Sequence, residues 1–302
     1  MLELFFCACT PNWTTLAYDD KSNQFDWRSY NDVDTYKNDR VFLCPSGCSF
    51  LGLSFVSTKA LLTSLDPGTI LVARFAIGAL FLFILLLFLR IPLLLPVRYL
   101  PHLIILSILG VFVHQFLQAT ALLTIDASDA GWMIAFAPIF TCILSFLFLH
   151  ERLTFPKMIG IVAAVCGVLM VTSNNLFVFS FDLGHSLMLL STFNWAVYSI
   201  LLKGLRIPLP PLTVTFYMCL IGSLLTVPFF ASTESFHAVS TLEWGQLLHL
   251  LFLGIFVSGI AYYYWTKALQ VLEANRVSSF LYIEPLVTLG AAILILHEKS
   301  YS

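Results

Sequence analysis

Residues 70–89 read ILVARFAIGALFLFILLLFL, twenty residues with Arg74 as their single charge. A helix rises about 1.5 Å per residue and a bilayer core is about 30 Å thick, so this stretch has the length of one membrane crossing. Working outward, the pattern recurs at Val41–Leu62, Leu103–Leu123, Ala130–Leu149, Met158–Val171, Gly184–Leu202, Leu212–Phe230, Gln246–Ala268 and Val277–Leu296. The nine stretches are predicted to be helices, because a backbone in lipid has to satisfy its polar groups within the segment. The fifth is short, and the first is interrupted by Pro45 and Gly47. Composition agrees: 59% of the 302 residues are hydrophobic and 11% charged. Soluble domains run at about 45–50% and about 25%. Too little polar surface remains to clothe a water-soluble globule.

Residues 1–40 differ in character. Asp19 to Arg40 carries ten charges, among them Asp26, Arg28, Asp32, Asp34 and Lys37, and reads as a solvated tail with the composition of a disordered segment. Cys142, Cys166 and Cys219 fall inside apolar runs, while Cys7/Cys9 and Cys44/Cys48 have no histidines at metal-ligand spacing. Neither a disulfide framework nor a metal site is expected, and no cofactor.

The connections between stretches divide by charge. Alternate ones hold Arg90 and Arg98, then Arg152 and Lys157, then Lys203 and Arg206, then Lys267 and Arg276; those between hold Asp66, Asp126, Asp129, Asp182, Glu234 and Glu243 without Lys or Arg. Basic loops stay in the cytoplasm. The expected location is therefore the cell membrane, crossed many times, with a cytoplasmic N-terminus.

The chain also repeats. Thr120–Arg152 lies on Lys267–Lys299 without a gap: Pro138 meets Pro285, Thr141 meets Thr288, and Leu149-His150-Glu151-Arg152 meets Leu296-His297-Glu298-Lys299. Lys59 meets Lys203, and Pro67 meets Pro211, in a nearly equal register. Halves of an odd number of spans face opposite ways. Inverted repeats are a transporter architecture, with substrate bound between the halves near the midplane.

The segments Gly52-Leu-Ser-Phe-Val-Ser-Thr-Lys59, Arg74-Phe75, Pro138 with His150-Glu151-Arg152, Trp195-Ala196, Tyr282-Ile-Glu-Pro285 and His297-Glu298-Lys299 resemble the EamA-type drug/metabolite transporter pattern over roughly residues 49–302. Leu51 stands where that family usually carries Trp. The resemblance implies an all-α membrane fold of ten helices in two inverted five-helix repeats, moving metabolites such as amino acids or drug-like compounds. Residues 41–173 are then the first repeat and 183–302 the second. About nine spans are counted here, and the second repeat stops before its last helix.

Ionisable groups inside lipid are the default functional candidates, since each costs at least about 2.5–3.5 kcal/mol at a helix centre. Glu284 is the one carboxylate well inside a predicted span, and its repeat partner is Ala137. It is expected to line the cavity and bind a cationic group or a coupling proton; the plainer reading is an interhelical hydrogen bond. Arg74 either attracts an anionic substrate group or snorkels to the interface beside Asp66 or Asp129. Lys59 reads as an interface anchor. His114 and Gln118, with Gln115 between them, form a polar stripe on the third stretch. Asn194, Trp195 and Tyr198 on the sixth are similar candidates for cavity lining or interhelical bonding. Tyr262-Tyr263-Tyr264-Trp265 reads as an interfacial belt, and His150-Glu151 as capping and loop pairing. Pro138 and Pro285 mark paired helix distortions.

No phosphate-binding Gly-x-x-x-x-Gly-Lys-Ser/Thr loop is present in the sequence, so transport would draw on a gradient or on exchange. A lone Glu284 does not make an intramembrane enzyme, and none is expected. The alternative is a truncated or degenerate paralogue acting as a non-transporting membrane protein. The expected partners are the bilayer, a small-molecule substrate, a coupling proton and, for a dimer, a second copy of the chain; nucleic acid is not among them.

Overall fold

The computed structural model describes residues 18–19, 24–25, 37–91, 93–151, 160, 182–230 and 233–296, with backbone alone for 18–19, 24–25, 37–44, 229–230 and 233–236. Arg152, Lys157, nearly all of the fifth expected span and His297-Glu298-Lys299 lie outside the described residues. Within the expected tail, Tyr18–Asp19 (β1) pairs antiparallel with Gln24–Phe25 (β2).

Seven helices among the described residues are long and apolar enough to cross a bilayer. They are α2 (Pro67–Phe88), α3 (Val97–Ala121), α4 (Ala127–Leu149), α5 (Leu183–Gly204), α6 (Pro211–Pro228), α8 (Trp244–Val271) and α9 (Ala274–Leu296). α1 (Lys37–Leu61) covers the first expected span. It starts four residues inside the expected tail and runs through Pro45 and Gly47, so the anticipated interruption is absent. A short helix, α7 (Thr233–Ser240), precedes α8 and was not anticipated.

Local chemistry sets the helix ends. Asp66 caps α2, its carboxylate accepting from Thr69 N at 2.9 Å and Thr69 Oγ1 at 2.6 Å, with Pro67 as the first helical residue. Asp182 accepts from Leu183 N at 2.8 Å, Glu243 and Gln246 form a capping box on α8, and Asp126 holds the N-cap of α4. All four belong to one end of the bundle, the acidic end. The loop charges that suggest an orientation are thus helix caps as well, each favoured by about 0.3–1 kcal/mol at a helix N-terminus. At the opposite, basic end α2, α4 and α5 finish near left-handed residues that are not glycine: Arg90 (φ 53), His150 (φ 54) and Arg206 (φ 43). Glycine is the usual residue for this turn.

The halves correspond helix by helix: α1 with α5, α2 with α6, α3 with α8, α4 with α9. The π-helical stretches respect this. Ser145–Leu149 in α4 matches Ala292–Leu296 in α9, and Ile108–Val113 in α3 falls on part of Leu253–Ala261 in α8. Lys59 donates to Leu122 O at 2.8 Å and Ile125 O at 2.7 Å, holding the acidic-end corner between α3 and α4. Its counterpart Lys203 donates to Leu269 O and Leu272 O, holding the basic-end corner between α8 and α9. Matching lysines therefore clamp matching corners at opposite ends. Lys59 is more than an interface anchor, because its ammonium satisfies helix C-terminal carbonyls that have no intrahelical partner.

The surface and interior are arranged for lipid. Leu80, Ile84, Leu87 and Phe88 project from α2 and Phe146, Leu147 and Phe148 from α4, while Arg74, Gln115, Gln118 and Glu284 are buried. Close packing rests on small residues. Thr288 of α9 donates to Gly52 O of α1 at 2.9 Å and faces Gly131 of α4, where an added Cβ would lie 2.7 Å from Thr288 Cβ. Gly131→Ala is expected to lower stability by about 1–3 kcal/mol, read as detergent-solubilised melting. Gly290→Ala, on the same helix as Thr288 but with nothing within 4 Å of the new Cβ, is expected to be neutral or stabilising by up to about 1 kcal/mol.

Candidate functional site

The polar stripe of α3 meets the other half of the chain at a cavity. Leu51, Ser54 and Phe55 of α1 form one wall, His114, Gln115 and Gln118 of α3 a second, and Ile134 of α4, Trp195 of α5 and Glu284 of α9 complete it. The stripe forms because His114 and Gln118 are one turn apart, and a helix among lipid-facing neighbours turns such a face inward. Four of the sequence candidates, His114, Gln118, Trp195 and Glu284, thus line one space.

Arg74 reaches the same space through Gln115. It is 1% exposed and does not snorkel; neither Asp66 nor Asp129 is its partner. Its Nη1 donates to Gln115 Oε1 at 2.8 Å and its Nε to Ser258 Oγ at 3.1 Å, while Nη2 has no partner. Gln115 Nε2 donates to Tyr262 Oη at 2.9 Å, and that hydroxyl donates to Gly110 O at 2.9 Å. The chain Arg74–Gln115–Tyr262–Gly110 joins the two halves through groups with fixed donor and acceptor roles. No carboxylate lies within ion-pair distance of Arg74 among the described residues. A buried cation without a counter-ion is costly unless something supplies the missing charge.

Glu284 presents the opposite deficit. It is 2% exposed, and its Oε1 has no hydrogen-bond partner. An isolated carboxylate charge in such surroundings costs several kcal/mol, so a proton or a cationic group has to neutralise it. Oε1 makes none of the interhelical hydrogen bonds that the plainer reading calls for. Pro285 follows Glu284 directly at the start of a resumed α-helical stretch, after the tighter 3-10 turn Ser279–Ile283. Pro138 holds the same place in α4, after the break at Ala135–Phe136.

His114 is fixed across the halves. Ser191 Oγ donates to His114 O at 2.8 Å, which commits the hydroxyl hydrogen. His114 Nδ1, at 2.8 Å from that oxygen and 3.0 Å from Ser191 O, then carries the hydrogen of the neutral ring, and Nε2 is left as acceptor. Trp195 lies against His114, Tyr198, Tyr262 and Trp265, with ring centroids 4.7 to 5.6 Å apart.

Two candidates stand behind the cavity. Asn194 Nδ2 donates to Leu109 O at 2.7 Å, a carbonyl in the π-helical stretch of α3. Tyr198 directs its hydroxyl to Met218 Sδ at 3.9 Å and its ring to Gly110. The aromatic run Tyr262–Trp265 is a correction: all four side chains are buried, with Tyr262 at 0% exposure, so they form no interfacial belt. Sequence reading missed Tyr262, Ser258 and the bridging role of Gln115. The signal was available, since the repeat register extended upstream places Gln115 on Tyr262.

The cavity has a volume of about 20 Å³, room for a single water. Ligand pockets run to about 300–1,000 Å³. As described, the cavity admits no substrate-sized molecule. A wider cleft of about 560 Å³ lies at the basic end, with Glu151, Lys203, Arg206 and Glu273 among its described walls.

Comparison with known proteins bears on what such a site serves. The model of the EamA-like transporter family matches twice, over residues 41–173 and 182–301. An uncharacterized transporter of Archaeoglobus fulgidus is 33% identical over 251 residues, covering 83% of this chain and 87% of the relative. The uncharacterized transporter YcxC of Bacillus subtilis is 28% identical over 257 residues, 82% of each chain. A solved structure described only as "Crystal structure of protein" shares the fold, with TM-score 0.65 over 86% of this chain and 88% of that one, at 20% identity.

Proposed function

The chain belongs to the EamA-like transporter family, and on that premise we propose that it moves a small metabolite or drug-like compound by alternating access through the cavity between α1, α3, α4, α5 and α9. The observation that carries this reading is two buried, unpartnered polar atoms, Glu284 Oε1 on the wall of a space too small for any substrate and Arg74 Nη2 behind that wall, across Gln115. An interior built for stability alone satisfies such groups or replaces them. Here Arg74 would receive an anionic group of the substrate, and Glu284 a cationic group or a coupling proton. His114 Nε2 and Gln118 would orient the substrate. Opening the site requires the halves to rock apart at one end at a time, with compliance at the paired prolines and π-helical stretches. The driving force would be a gradient or exchange.

The basic end is proposed to face the cytoplasm of a cell membrane, with the N-terminus on that side. Reconstitution in proteoliposomes tests the function. Among radiolabelled amino acids and cationic dyes, at least one is expected to show saturable uptake stimulated by unlabelled compound on the opposite side. Folded, inserted protein that gives no such counterflow with any of them would remove the transport reading.

A further inference from the structure

Glu151 bridges the two halves at the basic end. Its Oε1 accepts from Ala274 N at 2.8 Å and its Oε2 from Asn275 N at 3.2 Å. The carboxylate sits at the end of α4, in the first half, and takes the first backbone donors of α9, in the second. Sequence reading assigns Glu151 to local capping; the structure places the cap on the other repeat. A second inter-half contact lies just inside: Ser145 Oγ donates to Asn275 Oδ1 at 2.8 Å. The corner that Glu151 grips is the same one that Lys203 clamps from within the second half, through Leu269 O and Leu272 O. Lys203 and Glu151 thus hold one corner from the two halves.

We infer that Glu151 is the latch that holds the two halves together at the basic end, and that opening the central cavity towards that end requires its carboxylate to leave Ala274 N and Asn275 N. The role as a transport gate rests on the function proposed above; the contact and its effect on access do not. Hydrogen bonds to a charged acceptor are about twice as strong as neutral ones. The latch joins α4 of one half to α9 of the other, which distinguishes it from a cap that travels with its own helix.

Native Cys142 reports the opening. It lies nine residues before Glu151 on α4, some 13 Å deeper along a helix, and is 8% exposed. A membrane-impermeant charged thiol reagent is applied to the full chain in sealed proteoliposomes, first to one face and then to the other, and labelling of each cysteine is read by mass spectrometry. Glu151→Ala is expected to raise labelling of Cys142 from the basic end roughly tenfold or more, with no rise from the acidic end. Glu151→Gln keeps one acceptor of the same shape and is expected to give a smaller rise, several-fold, from the same face. It also serves if the alanine variant fails to fold. Labelling within twofold of the unsubstituted chain in the folded variants, or an equal rise from both faces, overturns the latch. Because no substrate is used, a shifted access pattern without flux would sustain the latch while removing the transport reading.

Discussion

Replacement of Glu284 by Gln is expected to flatten the dependence of flux on pH and to lower flux of a cationic substrate by roughly 10- to 100-fold, while leaving the protein folded. The reason lies in the unpartnered Oε1 at 2% exposure. A carboxyl there can hold a proton, or exchange it for a cationic group, and each neutral state is accessible only because the other can replace it. Glutamine keeps the shape and stays neutral throughout. The lost charged interaction corresponds to about 1.5–3 kcal/mol or more, hence one to two decades in rate. Stability moves the other way: removing an unpaired buried charge is neutral or favourable, so the melting temperature in detergent should equal or exceed that of the unsubstituted chain. Glu284→Ala should share the transport loss and also melt lower, because it enlarges the cavity that the side chain lines. Flux and pH response retained by both variants would leave Glu284 a packing residue.

Much of this site could be read before any coordinates, and the parts that could not share a physical cause. The rule that polar groups in a membrane helix turn inward selects His114, Gln118 and Glu284, and the structure sets them on one cavity with Trp195. What the linear sequence does not encode is depth across the bundle. Arg74 is the eighth residue of α2, close enough to an end to snorkel by distance alone. It stays inside because Ser258, in the π-helical stretch of α8, and Gln115 offer acceptors that water would otherwise supply. Tyr262 opens an aromatic run with the composition of an interfacial belt, and only its burial and hydroxyl partners reveal that it belongs to the core. Glu151 was legible as a cap, but not as one on Ala274, 123 residues away. The repeat offered the missing constraint. Residues in matching registers can meet where the halves touch, and Gln115 with Tyr262 is such a meeting.

Arg74→Met is expected to reduce flux roughly 100-fold or more while the chain still inserts and folds. Methionine fills much of the volume of the arginine stem and carries no charge. Its loss leaves Gln115 Oε1 and Ser258 Oγ without their donor, a penalty of about 1–3 kcal/mol for each buried group. Against this stands the relief of a buried cation with no counter-ion, worth several kcal/mol in the same direction as an apolar replacement of a buried ion pair. The two effects are of similar size, so melting should shift by no more than a few degrees. Transport has no such compensation. Without the guanidinium behind Gln115, no residue of the described cavity walls carries a fixed positive charge for an anionic group. Arg74→Lys separates charge from geometry: an ammonium supplies the charge but not the planar fork that reaches Gln115 and Ser258 at once with a third nitrogen to spare. It should recover only a small part of the flux. If Arg74→Met transports within a few-fold of the unsubstituted chain, the arginine is a scaffold for Gln115 and the anionic half of the site lies elsewhere. If Arg74→Lys transports fully, charge alone suffices, and the free Nη2 is not the atom that meets substrate.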